Sequence, residues 1–159
     1  MMISSPTPQT PIAPTSEHAR VETPTGPRVM LLRAGVHTVA IAAAAAREVS
    51  PRPPAIRLPG TPEFVTGVVN VRGTLVPLVD LGRLLDTEPA DPSGWVVTLD
   101  LEGRRCALAV DSLPVLRAAD APPGARLTRH AFLNAEVSVS GTTLPLLDVD
   151  ALADDILLQ

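Results

Sequence analysis

From Arg28 onward, apolar residues fall in short runs, and successive runs are separated by turns that carry glycine. Val29–Leu32 and Val36–Ile41 flank Gly35, and Phe64–Val71 and Thr74–Val79 flank Arg72-Gly73. Trp95–Leu101 and Arg104–Val110 flank Glu102-Gly103, and Ala135–Val139 and Thr142–Leu147 flank Ser140-Gly141. Aliphatic and β-branched runs punctuated in this way predict four β-hairpins. Many short strands with regularly spaced turns favour an all-β barrel or sandwich over a helical or parallel α/β fold. The stretch Ala42–Ala46 has high helix propensity, but its place between strand signals predicts one helical turn.

The pattern also repeats. A shift of 68 residues aligns Phe64 with Phe132, the only two phenylalanines, and gives ten identities over the 23 positions from Phe64 to Asp86. Among them are Val71/Val139, Gly73/Gly141, Pro77/Pro145, Asp80/Asp148 and Asp86/Asp154. Upstream, the same shift matches Leu31 with Leu99, Gly35 with Gly103 and Pro54 with Pro122. The chain therefore reads as two copies of one small β unit, repeat one over about 28–95 and repeat two over about 96–159. Each copy is marginal alone, so the two are expected to pack as one cooperative body, with Phe64 and Phe132 as equivalent core anchors of the two halves. Asp80 and Asp148 each end an apolar strand before a Leu-containing segment, which predicts helix N-caps. Pro77 and Pro145 lie within strands and predict an edge or a bulge.

Composition narrows the rest. Residues 1–27 hold six Pro, five Thr and three Ser, a mixture that predicts a disordered tail. Aromatic residues make up 2% of the chain, so the core must be aliphatic and a base-stacking platform is unsupported. A net charge of −4 without a basic run gives no reason to expect nucleic acid or an anionic membrane as partner. No apolar run is long enough to span a bilayer. The N-terminus lacks the basic-then-apolar pattern of a secretion signal, and the cytoplasm is the expected compartment. The single cysteine, Cys106, in an apolar run, reads as a buried structural thiol.

Catalytic constellations are not supported. His18, His37 and His130 are scattered, and with one Cys they give no zinc spacing. No nucleophile elbow or phosphate-binding loop occurs. The duplicated Asp pairs suggest an aspartic-protease dyad, but neither Asp80-Leu81-Gly82 and Asp148-Val149-Asp150 nor Asp86-Thr87-Glu88 and Asp154-Asp155-Ile156 has the hydroxyl-then-Gly turn. The expectation is a protein without catalytic residues, metal or cofactor.

The string from Pro62 to Leu81, with Phe64, Gly67, Val68-Val69, Asn70-Val71-Arg72-Gly73 and Val79-Asp80-Leu81, resembles the signature of CheW domains. That signature runs aromatic, two-residue gap, Gly, two apolar positions, Asn-Leu-Arg-Gly, strand, Val-Asp-Leu. A weaker resemblance extends from about Arg28 to Ala153. It implies two SH3-like five-stranded β-barrels packed together, with short helical turns. It also implies a non-enzymatic adaptor that binds the regulatory domain of a CheA-type histidine kinase and the cytoplasmic tip of chemoreceptors. The matched residues that would serve binding are Glu48, Gly67, Asn70, Arg72 and Gly73. Gly67 and Gly73 also have a structural reading, in close approach and turn formation, and Glu48 reads equally as a solvated surface charge. Arg72 has an internal control, because its repeat partner is Ser140 while the flanking Val and Gly are kept, so the turn itself does not demand Arg. The rival readings are a diverged scaffold of a non-motility pathway and a small β-barrel ligand-binding module or enzyme.

Overall fold

The computed structural model describes residues 26–126 and 131–157. The expected tail thus lies outside the described residues except for Gly26 and Pro27, and His130 lies outside them as well. Gly26 and Pro27 exchange backbone hydrogen bonds with Ala119.

All four predicted hairpins form. Strands β1 (Arg28–Ala34) and β2 (His37–Ala42) lead through a 3-10 turn, Ala43–Ala45, to β3 (Ala46–Pro51). Then follow β4 (Val65–Val71), β5 (Thr74–Asp80), helix α1 (Leu81–Leu84), β6 (Trp95–Leu101) and β7 (Arg104–Val110). The chain ends with β8 (Val115–Ala118), β9 (Gly124–Ala125), β10 (Ala135–Val139), β11 (Thr142–Leu146) and helix α2 (Val149–Leu157). Three of the hairpin turns have a non-Gly residue followed by Gly, both at positive φ: Arg72-Gly73 (49°, 84°), Glu102-Gly103 (55°, 89°) and Ser140-Gly141 (50°, 82°). Two successive positive φ values define the turn whose twist matches that of the paired strands, and glycine takes the second place without steric cost.

The strands form two sheets, in the orders β3-β6-β7-β5-β4 and β9-β10-β11-β2-β1-β8. Each curls into an SH3-like barrel, the first with the expected five strands and the second with six, because the two-residue β9 adds to its edge. Repeat and barrel do not coincide. The first barrel is the continuous segment β3 to β7, and the second is assembled from β1 and β2 together with β8 to β11. The hairpins β4–β5 and β10–β11 are equivalent at the 68-residue shift, down to the pairs Val68↔Pro77 and Glu136↔Pro145. Upstream the equivalence slips by one. Leu78 of β5 pairs with Ala107, whereas Leu146 of β11 pairs with Ala40, so these equivalent residues lie 67 apart. Gly35 is therefore the first residue of its turn and Gly103 the second, and the matches Leu31/Leu99 and Gly35/Gly103 at 68 are not structural equivalences.

The two prolines lie in interior strands, not at edges: β5 sits between β7 and β4, and β11 between β2 and β10; a β-bulge does lie beside Pro77, between Val65 and Gly67 of β4, whereas the register around Pro145 is regular. At Pro77 the missing N–H is tolerated because no neighbour is placed to take it. Val68 spends its own N–H and C=O on Ile56, so it forms no backbone bond with Pro77, and pairing of β5 with β7 begins one residue later at Leu78.

The core explains how a chain so poor in aromatic residues folds. The interior of each barrel is a small cluster, Val69, Val76, Leu78, Ala90, Val96, Ala107 and Ala109 in one, and Val29, Ala40, Ala119, Val137 and Val139 in the other. The largest cluster lies between the barrels and draws Leu32, Val39 and Ile41 from one sheet and Val97, Leu99 and Leu108 from the other. β7 is thus buried on both faces, which is why it reads as a nearly continuous apolar run. Phe64 and Phe132 do not anchor separate cores. Their rings meet edge to face, with centroids 5.8 Å apart and planes at 77°, against the cluster that joins the barrels.

Asp80 and Asp148 cap helices as expected, accepting the N–H of Arg83 and of Ala151. The helices differ in length. After α1, Asp86 takes the left-handed conformation (φ 58°) and turns the chain away. In α2, Val149, Leu152, Ala153 and Ile156 form an apolar stripe that packs toward β6 and β7, so the helix continues for nine residues where a short turn was expected. Cys106 is buried, and desolvation pushes its thiol pKa up to about 12, which leaves it uncharged and unreactive at neutral pH.

Candidate functional site

The Asn70-Val71-Arg72-Gly73 segment is the β4–β5 turn. Asn70 Oδ1 accepts the Gly73 N–H at 2.7 Å, so the asparagine closes the turn on which Arg72 is displayed. Arg72 is 80% exposed, and its Nε donates to both oxygens of Glu48 at 2.8 and 3.1 Å. Glu48 lies on β3 and Arg72 at the end of β4, the two edges of one five-stranded sheet. Their pairing marks where that sheet closes on itself. The fold thus brings together Glu48, Asn70, Arg72 and Gly73, four of the five positions matched to the signature.

Gly67 is elsewhere. It lies five residues back along β4, about 16 Å at strand rise. Its neighbours Val65 and Thr66 line a separate hollow of about 440 Å³ beside the 57–63 loop and Arg83. A Cβ at Gly67 would stand 2.2 Å from the carbonyl oxygen of Ile56, so the close approach of the Ile56 segment to β4 excludes any side chain. At Gly73 a Cβ would meet nothing within 4 Å, and its demand for glycine comes from φ alone.

Three charged residues that the sequence did not single out complete the surroundings. A β-bulge between Ala46 and Glu48 makes Arg47 the extra residue of β3, and it reaches Asp100 on β6 at 3.2 Å. Arg105 on β7 reaches the same Asp100 oxygen at 3.3 Å. The Gly103 N–H, followed by Arg105 and Arg47, holds the Asp100 carboxyl below the usual carboxylate range. An open hollow of about 680 Å³ runs along Ala44–Glu48, Arg72 and Asp100. The sequence carried one unused signal here: Asp100-Leu-Glu-Gly103 has the same acceptor-to-Gly spacing as Asn70-Val-Arg-Gly73, and Asp100 Oδ1 caps Gly103 in the same way.

The second repeat builds its turn differently. Ser138 stands where Asn70 stands, and the turn N–H groups of Ser140 and Gly141 are taken by Asp120, which also accepts the Ser138 hydroxyl. No guanidinium is displayed there. Among the described residues, no group of three or more His, Cys, Asp or Glu side chains is arranged to hold a metal ion.

Comparison with known proteins agrees with this architecture. The CheW-like domain model matches residues 28–157. The chain belongs to the CheW-like domain family. It is 25% identical over 134 residues to the chemotaxis protein CheW of Rhizobium meliloti, covering 79% of this chain and 86% of that protein. Over 69 residues it is 36% identical to the probable chemotaxis protein CheW of Rhizobium etli, an alignment that spans 42% of this chain and less than half (44%) of that protein. The crystal structure of the scaffolding protein TtCheW from Thermoanaerobacter tengcongensis shares the fold, with a TM-score of 0.65 at 15% identity over 77% of this chain and 89% of that one.

Proposed function

We propose that this CheW-like chain is a non-enzymatic chemosensory adaptor that joins a CheA-type histidine kinase to the cytoplasmic tip of chemoreceptors, and that it works in the cytoplasm. The observation that carries the reading is the asymmetry between two equivalent turns. One repeat displays an exposed arginine on an asparagine-closed turn beside a carboxylate from the opposite sheet edge, while the other presents a serine. Folding needs the turn in both places and the arginine in neither. A guanidinium fork at such a tip is suited to a partner's carboxylates and carbonyls. In this reading Arg72 and Glu48 make the contacts, Asn70 and Gly73 fix the tip, and Gly67 holds the adjoining loop on which further contacts are made. Among the described residues no helix is long and apolar enough to cross a membrane, so receptor association would be through protein contacts. An adaptor changes kinase activity only by binding active and inactive states with different affinity.

Reconstitution tests this. Receptor-bearing vesicles, a CheA-type kinase and the chain are mixed and sedimented, with each component omitted in turn. Kinase should sediment with the vesicles only when the chain is present. If the chain stays in the supernatant, or if the kinase sediments equally without it, the adaptor reading is wrong.

A further inference from the structure

The Glu48–Arg72 pair depends on a register that an uninterrupted β3 could not adopt. Ala46 pairs with Leu99 and Val49 with Val97, and all four side chains belong to the cluster between the barrels. In a regular strand, residues three apart point to opposite faces, so Ala46 and Val49 could not both turn to that cluster. The extra residue Arg47 removes the conflict. It also leaves Glu48 opposite Thr98, on the face of β6 that carries Val96 and looks into the first barrel. Continued from Ala46 without the bulge, the ladder would set Arg47 opposite Thr98 and turn Glu48 toward Val97. The carboxylate would then lie among apolar side chains, on the wrong face to meet Arg72.

A bulged residue has no ladder partner of its own, and here a side chain holds it. Arg47 donates from Nη1 to Asp100 Oδ2 at 3.2 Å. Arg105, the cross-strand partner of Asp100, donates through Nε to the same oxygen at 3.3 Å. The other oxygen, Oδ1, accepts the Gly103 N–H at 3.0 Å, so the β6–β7 turn fixes the carboxylate from the far side. The Asp100 side chain is 19% exposed and that of Arg47 56%, which makes the carboxylate the anchor and the guanidinium the group that is held. Two ion-paired groups, Arg105–Asp100–Arg47 and Glu48–Arg72, are thus joined through the peptide bond between Arg47 and Glu48.

We propose that Asp100 is a positioning residue for the partner surface: by holding Arg47 in the bulge, it sets the register that brings Glu48 to Arg72. Its effect on binding rests on the adaptor reading, whereas its effect on the register does not. Asparagine is the discriminating substitution. Asn70 Oδ1 closes the β4–β5 turn on the Gly73 N–H at 2.7 Å, so an amide oxygen can cap Gly103 in the same way. The amide nitrogen would then face Arg47 and Arg105 as a donor among donors, and the bulge would lose its hold while the turn kept its cap.

The full chain is compared with Asp100→Asn, Arg72→Gln and the double variant, by NMR and by calorimetric titration with the isolated regulatory domain of a CheA-type kinase. Asp100→Asn should keep the Gly103 amide signal near its parental position, while the Arg72 Nε–H and Glu48 amide signals shift. Its affinity for the kinase domain should fall at least fivefold, which is about 1 kcal/mol. In the Arg72→Gln background the same substitution should change affinity less than twofold, because the pair it positions is already gone. Arg47→Gln, which leaves the Asp100–Gly103 bond in place, should move the same two signals, and it decides the matter if Asp100→Asn does not fold. Unmoved Arg72 and Glu48 signals, or an equal loss of affinity in both backgrounds, would overturn the proposal. Parental affinity in Arg72→Gln would count against the adaptor reading instead, and the NMR signals alone would then decide the role of Asp100.

Discussion

Asp80 and Asp148 occupy equivalent places in the two repeats but hold different amounts of structure. Asp148 is exposed and caps α2 through one N–H. Asp80 is 1% exposed, and its carboxylate accepts from Arg83 and, through both oxygens, from the backbone of Ala90. It therefore pins the loop after α1 as well as starting the helix. Removing a cap typically costs about 1 kcal/mol, and stranding a further buried N–H adds roughly 1–3 kcal/mol. Asp148→Ala should thus lower stability by about 1 kcal/mol, and Asp80→Ala by about 2–4 kcal/mol, in denaturant unfolding. Equal effects would show that the Ala90 bonds contribute nothing. The capping role of both residues was legible in the sequence, because Asp after an apolar strand is a local signal. The second role of Asp80 was not, since Ala90 lies ten residues on and only the fold returns it.

At the scale of elements, the turns were the most legible feature and the strand neighbours the least. A residue-Gly pair between apolar runs fixes a turn from local sterics alone. Pairing across the sheet depends on which hairpin the second barrel recruits, and that is why Pro77 and Pro145 proved to be interior. The site shares this limit: Asn70, Arg72 and Gly73 lie in one readable segment, but Arg47, Thr98 and Asp100 join them only through a bulge and barrel closure. The turns also set an acid limit. Asp120 is held below its ordinary value of 3.8, chiefly by the Gly141 N–H and then by the Ser138 hydroxyl. Asp100 is lowered likewise through Gly103. A carboxyl whose folded pKa is depressed contributes stability that is fully present above 3.8 and is lost as pH falls through the lower folded value. Stability should therefore decline as pH drops below the ordinary aspartate range. Asp120→Asn, which cannot ionise, should be less stable at neutral pH and show a shallower acid decline. An unchanged acid limb in that variant would separate Asp120 from the effect.

For the whole molecule, the principal core lies between the barrels, so neither barrel is complete without the other. Phe64 and Phe132 sit at that junction in mutual edge-to-face contact. Phe132 is nearly buried, and Phe132→Ala should cost about 3–5 kcal/mol, while half-buried Phe64→Ala should cost less. The double substitution should fall short of additivity by about 0.5–1.5 kcal/mol, and each variant should unfold in one transition. Two separate transitions would contradict a shared core. The 68-residue repeat made the duplication visible, but not the exchange by which β1 and β2 close the other barrel, because identity in a repeat carries no information on which copy a strand pairs with. The central claim is that the Glu48–Arg72 surface exists for a partner and not for the fold, and a charge swap addresses it. As an exposed ion pair it contributes at most about 1 kcal/mol to folding. Affinity for the isolated regulatory domain of a CheA-type kinase, measured by calorimetry, should fall at least tenfold, or about 1.4 kcal/mol, in Arg72→Glu and in Glu48→Arg. The double variant Glu48→Arg/Arg72→Glu restores the pair in reverse. It should keep the parental thermal midpoint and remain defective in binding. Recovery of affinity in the double variant, or parental affinity in both single variants, would contradict the account.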